Sequence, residues 1–174
     1  VFCEDQQGRI WIGSDDGGLS CFTPKEKSFV RYPSGEGAKM LSYHNVHALC
    51  VDDDKLWVGT YTGGINVLDM KNGHVKVYSS DNRHANLDDE SAYSIYKDIA
   101  GDIWVGTMQG INLYNRTTDS FIRMQEVGVT TLDIDQDRQG LYWFCTQGRG
   151  IYQYNSATGT WKNYSYANEE HALC

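Results

Sequence analysis

Hydrophobic and polar residues alternate at every second position in four separate units of the chain. Each unit centres on a tryptophan flanked by hydrophobic residues: Trp11, Trp57, Trp104 and Trp143, spaced 46, 47 and 39 residues apart. A period near 40–47 residues is compatible with β-propeller blades and with helical repeats. No unit shows the spacing of an amphipathic helix, so the alternation favours strands.

Each unit is predicted to contain four short strands. In the second unit they cover 46–51, 56–60, 65–69 and 75–79, and the third turn contains Asn72-Gly73, a strong hairpin signal. Three hairpin turns that join four antiparallel strands make one propeller blade. The sequence therefore predicts an all-β fold of four four-stranded antiparallel blades.

The predicted blades occupy 1–45, 46–91, 92–128 and 129–168, and 169–174 begins a fifth because its last four residues repeat 47–50. Aligning the innermost strands puts five residues at one blade position: Cys3, Cys50, Tyr96, Asp135 and Cys174. Four periods plus an overlap do not close a four-bladed ring. We therefore expect an arc of a longer array, with apolar blade faces exposed around Trp11 at one end and Trp143 at the other.

The repeated motif resembles a known family. The pattern Asp-x-x-Gly-x-Ile-Trp-Val-Gly-Thr-x-x-Gly-Ile-x-x-Tyr at 98–114 is similar to the two-component regulator propeller repeat, and 5–22 matches it with Ser14 in place of Thr. The second unit departs from the pattern because its first turn is one residue shorter. The fourth has Phe144-Cys145 where the motif has Val-Gly.

This resemblance implies a fold and a function. Such repeats form seven-bladed rings in the periplasmic sensor region of hybrid two-component histidine kinases, and many of these sensors respond to oligosaccharides. It therefore implies a periplasmic, ligand-sensing, homodimeric receptor. Its kinase and membrane segments would lie outside this chain.

Composition agrees with a β protein that does not bind nucleic acid. The chain has 18 Gly, 12 Tyr, 5 Trp and 2 Pro in 174 residues, a balance typical of turn-rich β folds. Its net charge of -8 argues against binding to phosphate backbones. The longest apolar run, 141–145, is far shorter than the roughly 20 residues that span a bilayer.

The tryptophans and the glycines that follow them are interpreted as structural. A Trp at the same strand position in every unit is expected to pack between blades, with its indole N–H bonded locally, rather than to stack on a sugar. Gly13, Gly59 and Gly106 end the same strand. Trp161 lies outside the pattern and is either a filler at the blade edge or an exposed contact.

We expect ligand binding on the face that carries the loops between the second and third strands, together with the segments that join the blades. The loops between the second and third strands differ in sequence from unit to unit, while the motif that flanks them does not. Such variation is expected of loops that carry binding specificity on a constant scaffold. The candidate ligand-binding residues are Asp15, Asp16, Tyr61, Thr62, Met108, Gln109, Gln147 and Arg149. The joining segments 33–45 and 80–91 add Tyr43, His44, Arg83 and His84.

No catalytic motif, cofactor or metal site is predicted. Asp133 and Asp135 alternate as calcium ligands do, but an EF-hand loop would need Gly and Glu where the sequence has Arg138 and Phe144, so channel-facing carboxylates remain the alternative. The five cysteines show no CxxC spacing and are expected to be buried thiols. The alternatives to a sensor are a quinoprotein-like dehydrogenase, which the Thr-Gly-x-Trp at 158–161 faintly suggests, a polysaccharide lyase, and a passive scaffold.

Overall fold

The computed structural model describes residues 1–82 and 84–165, and these form four sheets of four antiparallel strands. Blade 1 contains β1 (Phe2–Glu4), β2 (Ile10–Ser14), β3 (Gly18–Thr23) and β4 (Ser28–Tyr32). Blade 2 contains β5 (Val46–Asp52), β6 (Lys55–Thr60), β7 (Ile65–Asp69) and β8 (Val75–Tyr78). Blade 3 contains β9 (Ala92–Lys97), β10 (Ile103–Thr107), β11 (Ile111–Asn115) and β12 (Ser120–Met124). Blade 4 contains β13 (Thr131–Gln136), β14 (Tyr142–Thr146), β15 (Gly150–Asn155) and β16 (Thr160–Tyr164).

The predicted propeller architecture is confirmed. Within each blade the strands pair in sequence order, and the first strands β1, β5, β9 and β13 lie beside one another along the inner edge. The predicted alignment of innermost strands also holds, because Cys3, Cys50, Tyr96 and Asp135 each pair with the Trp of their own blade. The predicted fifth blade at 169–174, including Cys174, lies outside the described residues.

The hydrophobic core is divided among the three junctions between blades. In each junction the Trp of one blade packs against the aliphatic or aromatic residues of the next blade's second strand. Trp11 therefore contacts blade 2, Trp57 blade 3 and Trp104 blade 4, and all three are buried. These three tryptophans thus pack between neighbouring blades. Trp161 is a filler as well, because its ring stacks on Tyr154 at 4.4 Å.

The expectation that the face around Trp11 is exposed is wrong. Trp11 is 0% exposed, because every Trp points toward the following blade. The uncovered face of blade 1 is the opposite one, where Phe29 is 62% exposed. At the other end, Trp143 is half-buried on the forward face of blade 4, as expected.

In blades 1–3, the glycine two residues after the Trp allows the blades to approach closely. A Cβ on Gly106 would lie 2.7 Å from the carbonyl oxygen of Thr131, the first residue of the next blade's inner strand. In blade 4 this position is Cys145, which is exposed, so the expectation of a buried thiol is wrong there. Cys21 is buried, and Cys3 and Cys50 are half-buried. Burial raises the pKa of the Cys50 thiol to about 11.

In three blades, the indole N–H of the Trp donates to the aspartate that opens the first turn. Trp11, Trp104 and Trp143 donate to Asp5, Asp98 and Asp137 at 2.8–2.9 Å. Asp98 also accepts from the hydroxyl of Tyr142 in blade 4, at 2.7 Å. Burial alone would raise the pKa of Asp98, but these bonds lower it. The expected local bonding of the indole is confirmed in these blades.

Blade 2 breaks this pattern, because its first turn is one residue shorter. The equivalent carboxylate, Asp52, bonds instead to Lys97 at 2.7 Å and Arg116 at 2.9 Å, both in blade 3. Among the described residues, the buried indole N–H of Trp57 has no hydrogen-bond acceptor. The expectation of a locally satisfied indole is therefore wrong at Trp57. The deletion replaces a bond within the blade by an ion cluster between blades.

Candidate ligand-binding surface

The two kinds of loop named in the sequence analysis meet on one face, which we call the loop face. The blade 2 loop joins the segment before blade 3 through a bond from the Gly64 N–H to the Glu90 carbonyl, at 2.8 Å. In blade 1, the backbone N–H of Asp16 donates to the side chain of Asn45. All eight candidate residues are exposed on this face.

Four side chains from three blades converge where the loop face meets the inner edge. We call them the His47 cluster: Asp15 of blade 1, His47 and Tyr61 of blade 2, and Tyr93 of blade 3. His47 Nε2 lies 3.7 Å from Asp15 Oδ1. The His47 ring centre lies 5.8 Å from that of Tyr61 and 5.3 Å from that of Tyr93. The cluster combines aromatic faces with a carboxylate and an imidazole.

Neighbouring charges and burial both act on the cluster. Burial, followed by the charges of Tyr61 and Asp89, raises the pKa of the Tyr93 hydroxyl. Tyr93 therefore stays a neutral hydrogen-bond donor at neutral pH.

A second acidic pair lies next to the cluster. His44 Nε2 is 3.3 Å from Asp16 Oδ1, and the His44 ring stacks on Tyr43 with 4.5 Å between ring centres. Asp16 has a φ of 58°, in the left-handed region that Asp and Asn tolerate best after glycine. Aromatic rings and carboxylates therefore extend from the inner edge outward over the junction of blades 1 and 2.

A cavity of about 250 Å³ opens on the inner edge beside the cluster. Its polar wall includes His47 and Tyr93, and its apolar wall includes Phe2 and Leu132. The first strands of all four blades contribute to it, so its shape depends on how the blades are arranged.

The remaining candidates lie apart from the His47 cluster. Met108 and Gln109 belong to the blade 3 loop, and Gln147 and Arg149 to the blade 4 loop. Thr62 is exposed beside Tyr61. Arg83 lies outside the described residues. The structure thus brings Asp15, Asp16 and Tyr61 together with the histidines and leaves the other candidates spread along the loop face.

Sequence reasoning missed His47 and Tyr93 as surface residues. Ala48 and Ser94 pair with Gly59 and Gly106 of their own blades, and the register of each strand shifts at the preceding residue. His47 and Tyr93 therefore lie at irregularities of the inner strands, which a regular alternation does not predict.

Asp88 anchors the blade 3 loop and was also missed. Its Oδ1 accepts from the Thr107 hydroxyl and the Asn112 amide, both at 2.7 Å, and Arg123 Nε lies 3.6 Å from Oδ2. The Asp88 side chain is 1% exposed. Because Thr107 Oγ1 in turn accepts from the Gln109 N–H, this buried carboxylate fixes the loop that presents Met108 and Gln109.

Residues 1–82 and 84–165 contain no group of three or more His, Cys, Asp or Glu side chains arranged to hold a metal ion. Asp133 and Asp135, the pair considered for calcium, each accept a hydrogen bond from the backbone N–H of the following residue. In the same part of the chain, no helix has the length and apolar character needed to cross a membrane.

The comparison with solved structures shows the propeller fold. The extracellular domain of a protein assigned as a one component system from B. thetaiotaomicron superposes with a TM-score of 0.64 at 21% identity, over 94% of this chain and 27% of that chain. An extracellular domain assigned to a hybrid two component system of the same organism gives 0.55 at 22% identity, over 98% and 28%. Virginiamycin B lyase from Staphylococcus aureus gives 0.70 at 19% identity, over 97% and 55%.

Sequence comparisons identify the repeats. A curated relative, "Histidine kinase P4" of Formosa agariphila, is 26% identical over 158 residues, which cover 85% of this chain and 11% of that protein. The chain thus spans about a tenth of this relative's length. The family described as "Two component regulator propeller" matches residues 1–16, 40–62 and 86–109, which include the Trp motifs or inner strands of blades 1–3. Three segments of the chain, one in each of blades 1–3, therefore match the two-component regulator propeller repeat.

Proposed function

We propose that this chain is part of the extracytoplasmic, ligand-sensing propeller of a two-component receptor, and that the ligand is an oligosaccharide. The repeat family, the histidine kinase relative and the extracellular domains of similar fold support the sensor role. The observation that carries the choice of ligand is the His47 cluster, in which exposed aromatic faces stand beside polar groups at the mouth of a cavity.

The chemistry of the cluster suits a sugar ring. The C–H groups on one face of the ring would pack on Tyr61, which is 37% exposed, while hydroxyl groups around its rim would bond to Asp15 and His47. Sites of this kind typically combine apolar and aromatic walls with a few fixed polar groups. No catalytic residue is proposed.

Signalling would follow from the contribution of several blades to one site. A ligand that bridges Asp15, Tyr61 and Tyr93 favours the arrangement of blades 1–3 in which these groups are closest, and it acts only through this difference in affinity. In the full receptor, which we propose to be a homodimer with seven-bladed rings, that preference would reach a kinase outside this chain.

The first experiment is a screen of the protein against an oligosaccharide panel, with the melting temperature and product release measured together. A raised melting temperature without product supports the sensor. Product release would instead establish an enzyme, the reading that the lyase of similar fold invites. If no oligosaccharide changes the melting temperature or yields a product, a passive scaffold is the remaining function.

Point variants then locate the binding surface. Tyr61→Ala is expected to weaken binding about tenfold, equivalent to about 1.4 kcal/mol, because it removes the stacking face. Arg149→Ala tests whether the site extends to blade 4, with Arg138→Ala as its matched control, since Arg138 is exposed in the turn between β13 and β14 at the other end of that hairpin. Unchanged affinity in both Tyr61→Ala and Arg149→Ala would refute ligand binding on the loop face.

A further inference from the structure

We infer that the His47 cluster selects uncharged oligosaccharides and rejects those that carry carboxylate or sulfate groups, an inference that rests on the proposed function. The reason is the charge of the groups that surround the site. Asp15 and Asp16 are 75% and 87% exposed at their side chains, so an approaching ligand meets both.

Within residues 1–82 and 84–165, the side chains that pair with these two carboxylates are the imidazoles of His44 and His47. Across the described residues, no Lys or Arg nitrogen lies within 4.0 Å of Asp15 or Asp16. Five other aspartates differ in this respect, since each has a Lys or Arg partner: Asp5, Asp52, Asp54, Asp88 and Asp119. The negative charges of Asp15 and Asp16 are therefore exposed to a bound ligand.

A third acidic group adds to the same field. Asp89 is near enough to Tyr93 for its charge to contribute to the raised pKa of that hydroxyl. Arg31 lines a neighbouring groove with Tyr32 and His44, the residue that pairs with Asp16. An anionic group on the ligand would thus face Asp15, Asp16 and Asp89, and none of the described residues pairs a guanidinium or ammonium group with Asp15 or Asp16.

Chemical complementarity then identifies the ligand class. Hydroxyl groups donate hydrogen bonds to carboxylates, and the apolar face of a neutral ring fits Tyr61 and the apolar wall of the adjoining cavity. A ligand carboxylate about 5 Å from one Asp in water-like surroundings loses roughly fourfold in affinity, so two such contacts give an expected discrimination of about tenfold or more. Because the groups are exposed, salt should reduce the discrimination.

The test compares neutral oligosaccharides with C6-oxidised counterparts of the same linkage and length, by calorimetry at low and high salt. We expect at least one neutral oligosaccharide to bind, and its oxidised counterpart to bind at least tenfold more weakly at low salt. In the double variant Asp15→Asn, Asp16→Asn this gap should shrink at least threefold. Asn keeps the shape of both side chains and tolerates the φ of 58° at position 16.

A matched control removes the same charge elsewhere. Asp102→Asn changes an exposed aspartate in the turn between β9 and β10, at the opposite face, and should leave the gap unchanged. An oxidised oligosaccharide that binds as well as its neutral counterpart, or a gap unaffected by the double variant, would overturn the inference and leave the proposed function standing. If no oligosaccharide binds, both are overturned. Anionic binding that Arg31→Ala abolishes would place the ligand in the neighbouring groove and also overturn the inference.

Discussion

Replacing Trp by Phe should cost more stability in blade 3 than in blade 2, because only one of the two indoles has an acceptor. Trp104 donates to Asp98 at 2.9 Å, whereas among the described residues the N–H of Trp57 has no acceptor. Both residues are buried, at 3% and 2% exposed, and both pack between blades. The loss of apolar contact is thus similar at the two positions and largely cancels in the comparison.

The size of the difference in stability follows from the indole hydrogen bond that Trp104 makes to Asp98. A hydrogen bond to a charged group contributes about 1.5–3 kcal/mol, so Trp104→Phe should lower the free energy of unfolding by that much more than Trp57→Phe. For a domain of this size the difference corresponds to roughly 3–12 °C in melting temperature. Trp11→Phe should behave like Trp104→Phe, since Trp11 donates to Asp5.

Urea unfolding of the parent and the three variants, followed by circular dichroism under identical conditions, measures these differences. The free energies of unfolding are compared between variants, so errors in their extrapolation to zero urea largely cancel. Equal losses in Trp57→Phe and Trp104→Phe would refute the idea that the shorter turn of blade 2 removes a stabilising bond.

Three further results are expected. Trp104→Ala should destabilise the protein by about 3–5 kcal/mol in the same unfolding assay, while ligand affinity in the folded fraction stays unchanged. A stable Trp104→Ala variant that no longer binds ligand would instead show that Trp104 contacts the ligand. Hydrogen bonds from Lys76, Tyr114 and Tyr78 lower the pKa of Asp119 to about 2 from an ordinary value of 3.8, so its stabilisation is complete above pH 4 and is lost as the pH falls toward 2. Asp119→Asn should flatten the fall in melting temperature over that interval, and an unchanged slope would contradict the assignment. The chain alone should associate at high concentration in sedimentation experiments, with Cys145 alkylated before Cys21. A chain that stays monomeric at every concentration would contradict the exposed blade faces.

The proposed binding surface was predictable from the sequence only in part. Variable loops beside a fixed motif identified Asp15, Asp16 and Tyr61, because that comparison needs nothing beyond the repeats. His47 and Tyr93 escaped it, since their importance comes from the meeting of two inner strands that are 46 residues apart. No local pattern reports which side chains from different blades face one another.

The sequence by itself determined the strands, their order within a blade and the inner-strand alignment. A period of two specifies a strand with two faces, and the repeat places each strand at the same position in its blade, so Cys3, Cys50, Tyr96 and Asp135 aligned correctly. Tertiary structure alone decided which neighbour each face contacts. Trp11 is buried against blade 2 because every Trp points forward, and alternation carries no information on that direction. The one-residue deletion in blade 2 was visible in the sequence, but its consequence was not: only the packed blades show Asp52 leaving the indole of Trp57 for Lys97 and Arg116, because those cations belong to the next blade.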